Sequence, residues 1–118
     1  MALQVEPCAL TESEALFLCN GGLGRVATIS PDNEPHVVPV VFEFDGRYIY
    51  FSGHNLTKTA KLRNLLQNRR VAMVIDDVVS ISPWRARGIE IRGIAEILTE
   101  RGIPYVRITP TTKASWGL

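Results

Sequence analysis

The apolar positions of this chain change period several times, and each change marks an element. Thr11 followed three positions later by Glu14 fits a capping box, Ala15, Leu16 and Leu18 give an apolar face, and Gly21-Gly22 supplies a stop, which predicts a short helix over 12–20. From Arg25 the spacing shortens to two and β-branched residues take over. Val26-Ala27-Thr28-Ile29 reads as a strand, Pro31-Asp32-Asn33-Glu34 as its turn, and His36 to Phe44 as a second, mostly buried strand. Asp45-Gly46 is a hairpin signal that leads directly into Arg47-Tyr48-Ile49-Tyr50-Phe51. After the loop Ser52-Gly53-His54-Asn55, the spacing of Leu62, Leu65 and Leu66 predicts a second helix, capped by Thr57 and running to about Asn68. Residues 71–75, the alternating 89–97 and 105–108 complete the set of strands.

Six strands and two short helices therefore share 118 residues, with no repeat, no low-complexity tract and connections too short to act as a linker. One domain spanning 1–118 is expected. So many strands in so short a chain, several joined by hairpins, favour closure into a small β-barrel with helical additions over an open sheet with free edges.

Composition narrows the class. Hydrophobic residues make up 46 % and charged residues 21 %, an ordinary globular balance that excludes disorder and fibrous architectures. The longest apolar run, Val37 to Phe44, is interrupted by Pro39 and Glu43 and is far shorter than the ~20 residues of a membrane span. The start MALQVEP carries no secretory pattern, and Cys8 and Cys19 form neither a CxxC pair nor a disulfide framework, so a soluble cytoplasmic protein with reduced thiols is expected. Cys19 reads as a small core residue.

A net charge of +1 offers no global argument for nucleic acid, but its distribution is uneven. Residues 1–46 hold seven acids and one base, whereas residues 47–70 hold six bases (Arg47, Lys58, Lys61, Arg63, Arg69 and Arg70) and no acid. A helix N-terminus carries partial positive charge, so lysines are unfavourable there unless an anion docks. Lys58 and Lys61 fall in that first turn. Two readings stand: a phosphate held by both lysines, the Thr57 and Thr59 hydroxyls and backbone N–H groups, or a solvated basic face.

Other constellations are thin. There is no GxSxG elbow, HExxH or Walker loop, and His36 and His54 stand 18 residues apart without a Cys or Asp at ligand spacing, so no metal site is expected. His36 reads as a surface or edge residue, and His54 as able to reach a ligand beside the basic helix. Asp76-Asp77 reads as a strand end. Trp84 sits with Arg85 and Arg87 in a loop where an indole can stack on a planar ring while guanidinium groups hold an anionic tail, or can cover a barrel end. Trp116, close to Leu118, packs either on the barrel or on a partner subunit.

Four segments in order, GRVATISPDNEPHVVPVVFEFDGRYIYFSG, TAKLRNL with NRRVAMVI, SPWRARGIEIRGIAEIL and RITPTTKASWGL, resemble the pyridoxamine 5′-phosphate oxidase-like flavin reductases of the split β-barrel fold. The likeness runs from Gly24 to Leu118 and is strongest to the branch that uses the deazaflavin coenzyme F420. It implies a homodimer with the cofactor in a groove between subunits. Lys61, in Lys61-Leu62-Arg63-Asn64, matches the phosphate contact, with Thr59 and Ala60 lending backbone donors. Val38, Pro39 and Val40 match positions along the ring system, and Ser52 a small polar residue beside the ribityl chain. Arg87 and Gly88 match the start of the strand that comes from the other subunit.

Pyridoxamine phosphate oxidases carry arginines where Val38 and Ala60 stand, and a C-terminal Arg-x-His motif absent here, so the likeness does not extend to oxidation of vitamin B6. Those losses, with PWRARGIEIRG and SWGL, favour F420, with FMN as the alternative. The stretch from Leu98 to Val106 is short, which trims a loop near the substrate mouth. The expected function is hydride transfer to or from a small organic substrate, with no acid or base required from the protein because the cofactor carries the chemistry. Two rivals are a cofactor-binding protein without turnover, and a nucleic-acid-binding barrel that stacks bases on Tyr48, Tyr50 and Phe51.

Overall fold

A computed structural model describes residues 5–53 and 56–118; His54, Asn55 and the Thr57 side chain lie outside the described residues, and with them the reading of His54 as a ligand contact. The elements are α1 (Glu12–Cys19), β1 (Gly22–Ile29), β2 (Pro35–Phe44), β3 (Ile49–Phe51), a 3₁₀ turn (Leu56–Lys58), α2 (Ala60–Gln67), β4 (Arg70–Ser80), β5 (Arg85–Leu98) and β6 (Tyr105–Trp116). The strands close into an antiparallel barrel in the order β1-β2-β3-β6-β5-β4. This is the mainly β, six-stranded barrel with two short helices that the pattern predicts, and it fits the split β-barrel that the resemblance implies.

The β2–β3 hairpin forms where expected because the Asp45 carboxylate accepts from the N–H groups of Arg47 (2.9 Å) and Tyr48 (2.7 Å) while Gly46 takes φ 98°. Alternating side chains from every strand meet inside, among them Val26, Phe42, Ile49, Met73, Ile89, Ile91, Val106 and Ile108, all buried. A barrel strand has only one inner face, and this corrects the expectation of a mostly buried 36–44. On β2 only Val40 and Phe42 are buried, while Val37, Pro39 and Val41 point outward.

Three strands are longer than their apolar runs. β4 continues through Asp76 and Asp77 rather than ending there, because each carboxylate finds an arginine on a neighbouring strand: Arg25 to Asp76 at 2.6 Å, and Arg87 to Asp77 at 2.7 and 2.9 Å. β6 continues to Trp116, which pairs with Gly88, so the terminal indole packs on this barrel. A Cβ on Gly88 would come within 2.5 Å of Trp116 Cζ2 and 2.8 Å of Asp76 Cβ, which accounts for glycine at that position.

The helix α1 has the capping box, with Thr11 N–H donating to Glu14 Oε1 at 2.8 Å. Its inward residues are Glu14, Phe17 and Leu18; Leu16 and Cys19 are exposed, against the expectation, because the helix leans on the barrel through the face that carries Glu14. That carboxylate also meets Lys113 Nζ and accepts from Ser115 Oγ at 2.6 Å, fastening α1 to the far half of β6. Burial alone would raise the Glu14 carboxyl, but the hydrogen bonds from Lys113, Ser115 and the Thr11 N–H outweigh it and hold the group down at about 2.

Candidate functional site: the start of the second helix

Where β3 ends, Ser52 is exposed, and the chain passes through the 3₁₀ turn into α2. The cap is Thr59 rather than Thr57. Thr59 Oγ1 accepts from Leu62 N–H at 3.4 Å and donates to Leu56 O at 2.6 Å, so its hydroxyl is already used and does not contribute to an anion site. What this end offers is the backbone N–H groups that every helix leaves outside its ladder, at Ala60 and Lys61, together with the ammonium groups of Lys58 and Lys61. No acid stands in the first turn, and among the described residues neither lysine forms an ion pair. Lys58 is exposed and Lys61 half-buried.

The helix is held firmly enough to aim those groups. Leu62 and Leu65 enter the core, whereas Leu66 is 69 % exposed and so falls outside the expected apolar face. Asn64 is 5 % exposed, and its Nδ2 donates to Thr28 Oγ1 on β1 at 2.9 Å. Lys-x-Arg-Asn thus divides into outward cations at Lys61 and Arg63 and an inward pin at Asn64. Replacing Asn64 by Ala is expected to cost about 1–3 kcal/mol, the penalty for leaving the buried Thr28 hydroxyl without its donor, as measured by chemical denaturation.

The remaining candidate positions separate by face. Of Val38, Pro39 and Val40, Pro39 faces outward with Val37 and Val41, Val38 is half-buried, and Val40 belongs to the core. On the other side of the barrel, Trp84 is 67 % exposed in the turn between β4 and β5 and lines a cleft of about 810 Å³ with Arg85, Arg87 and Trp116. Arg87 is already engaged, paired with Asp77 and lying 5.0 Å over the Phe17 ring, and that pairing lowers the Asp77 carboxyl. Gly88 lies beneath Trp116. The aromatic row invoked for nucleic acid is not a free stacking surface: Phe51 is buried, and Tyr48 and Tyr50 are half-buried under arginine guanidinium groups. Sequence reasoning missed Thr28, the partner of Asn64 across 36 positions, and Arg101, which lies over the rings of Tyr50 and Tyr105. Neither carries a local motif; only strand pairing brings them to their partners.

A split barrel that presents an acid-free, doubly cationic helix start soon after its third strand is a scaffold suited to a phosphate-bearing cofactor, and the donors at Ala60, Lys61 and Lys58 fit such a group. The chain belongs to the pyridoxamine 5′-phosphate oxidase family, whose sequence profile matches residues 10–110. It is 36 % identical to a 5a,11a-dehydrotetracycline/5a,11a-dehydrooxytetracycline reductase of Streptomyces rimosus, over 92 % of this chain and 83 % of that protein. Among solved structures it is similar to an F420 reductase, with a TM-score of 0.74 and 25 % identity over 89 % of this chain and 98 % of the other. It also shares its fold with an FAD-binding protein of Mycobacterium smegmatis, with a TM-score of 0.71 and 24 % identity over 90 % of this chain and 93 % of the other. The expected oxidoreductase class agrees with the reductase names of these relatives.

Proposed function

We propose that this protein is an oxidoreductase that binds coenzyme F420, with FMN as the alternative, and moves a hydride to or from a small organic substrate. The observation that carries the reading is the start of α2, where two lysines that form no ion pair among the described residues, with no acid in the first turn, meet the positive end of a helix pinned to β1. Such an arrangement is self-repelling until an anion arrives. Lys61 and Lys58 hold the cofactor phosphate and Ala60 and Lys61 supply backbone N–H groups, whereas Thr59, expected as a backbone donor, is spent on Leu56 O through both its N–H (3.0 Å) and its hydroxyl. Ser52 lies beside the chain that joins phosphate to ring, and Pro39, with Val38 and Val40 to either side, lies along the ring. When bound, the cofactor supplies the redox chemistry; the protein's part is position, charge and exclusion of water. An activity on a tetracycline-like polyketide, as the name of the Streptomyces relative describes for that protein, is one substrate class to try.

The working unit in this reading is a cytoplasmic homodimer of one-domain subunits, each spanning 1–118. Leu23 and Val41, paired across β1 and β2, are 61 % and 68 % exposed, and Val37, four residues back along the same face of β2 with Pro39 between, is 65 % exposed; these give β2 an apolar outer row suited to a second copy. Trp84 and Arg87 then approach the cofactor from the second subunit, while Gly88, buried beneath Trp116, lets that strand start pack closely enough to place them. The test is titration of the protein with F420 and with FMN, followed by cofactor absorbance and fluorescence, with the mass measured by light scattering in the same solution. Saturable binding of at least one cofactor by a particle of twice the chain mass is expected; a monomer that binds neither overturns the reading.

A further inference from the structure

A second concavity adjoins Ser52. The β3–β6 pairing places Tyr50 beside Tyr105, with ring centroids 6.1 Å apart, and the loop between β5 and β6 brings Arg101 over both, 4.3 Å from the Tyr105 centroid and 5.6 Å from that of Tyr50. Together with Val41, Phe51 and Ser52 these residues line a pocket of about 190 Å³, and Glu43 stands at its wall. The two phenol groups are occupied: Tyr50 Oη donates to Asp45 Oδ2 at 2.8 Å and Tyr105 Oη to Glu100 Oε2 at 2.7 Å. They therefore serve as ring walls and not as donors. Among the described residues Arg101 makes no ion pair, and it is held instead by stacking, which leaves the N–H edge of its guanidinium fork free.

We infer that this pocket receives the substrate, and that it takes a planar ring bearing an acidic oxygen, a carboxylate or an enolate. Arg101 is the specificity-determining residue. The apolar floor of Val41 and Phe51 suits a ring lying against the guanidinium plane that already covers the two tyrosines, and the volume limits it to a small one or to one end of a larger system. A ligand cation would compete with Arg101 for the same ring faces, whereas an anion completes the stack with a charge-assisted bond. The exposed Glu43 carboxylate biases the other way and weakens anions. The assignment of this pocket to substrate rests on the proposed cofactor site, with which it shares Ser52.

The test uses benzoate, benzamide and benzylamine as probes of the full chain, observed by the NMR shifts of the Ser52 and Arg101 amides, with F420 absent and present. Benzoate is expected to bind about tenfold more tightly than the neutral benzamide, the order of one charge-assisted contact. Arg101→Gln removes that preference, Glu43→Gln strengthens benzoate binding, and F420 affinity is unchanged in Arg101→Gln. Equal binding of benzoate and benzamide, a preference for benzylamine, or unchanged discrimination in Arg101→Gln overturns the anion pocket. Displacement of benzoate by F420 overturns its assignment to substrate. Failure of F420 and FMN to bind while benzoate discrimination persists overturns the cofactor reading, and with it the substrate role, but not the pocket's selectivity.

Discussion

Lys61→Ala is expected to weaken cofactor binding by about ten- to a hundredfold while leaving the melting temperature of the cofactor-free protein equal or slightly higher. The loss corresponds to one charge-assisted contact, about 1.5–3 kcal/mol. The gain in the free protein follows from the same position: a lysine in a first turn opposes the helix dipole, and no acid in that turn offsets it. The helix survives because its hold on the barrel comes from Leu62, Asn64 and Leu65, which are buried. Titration of wild type and variant with F420, alongside thermal denaturation without it, separates the alternatives. Unchanged affinity identifies a solvated surface lysine, and a lowered melting temperature identifies one that supports the fold.

Glu14→Ala is expected to be among the most damaging single changes to stability, at about 3 kcal/mol. It removes the buried carboxylate that holds Lys113, Ser115 and the Thr11 N–H together, leaving the half-buried Lys113 without its counter-charge. The same group dictates a pH dependence. Its carboxyl stands at about 2 in the folded chain against an ordinary 4.5, so the unfolded chain takes up the proton first and the contribution is complete above about pH 4.5. It is then lost as the pH falls from about 4.5 to about 2. Asp45, stabilised as the carboxylate by the N–H groups of Tyr48 and Arg47 against its own burial, and Asp77, paired with Arg87, lose stability in the same direction. Denaturant titrations of wild type and Glu14→Gln between pH 6 and pH 2 isolate the Glu14 part: the two curves converge as the pH falls, and parallel curves contradict the linkage.

Much of the barrel was legible because its turns are local. Asp45-Gly46 and the Thr11-Glu14 box each depend on residues within three positions, and both formed as the sequence implies. Asp76 was misread as a strand end because its partner Arg25 is 51 positions away, and no local rule supplies that neighbour. The polar second half of β6 shows no apolar alternation, since its Lys113 and Ser115 side chains turn to Glu14 of α1 rather than to an apolar core. Phe17 rather than Leu16 points inward in α1 because a helix with apolar residues on several sides takes its orientation from what it packs on. At the candidate site the charge pattern of Lys58 and Lys61 was readable, because misplaced charge is a local signal. Thr57 and Thr59, two positions apart and identical, gave no means to choose the cap. The Arg101 pocket arises from pairing β3 with β6, residues that stand more than fifty positions apart, and has no counterpart in the linear pattern.

Whether the start of α2 seats the cofactor phosphate is decided most directly by a crystal structure of the protein with F420 bound. The phosphate is expected within hydrogen-bonding distance of the Lys61 ammonium and of the first-turn N–H groups of Ala60 and Lys61, with the ring system running along Pro39. A cofactor bound with its phosphate away from α2, whatever the affinity, would contradict it.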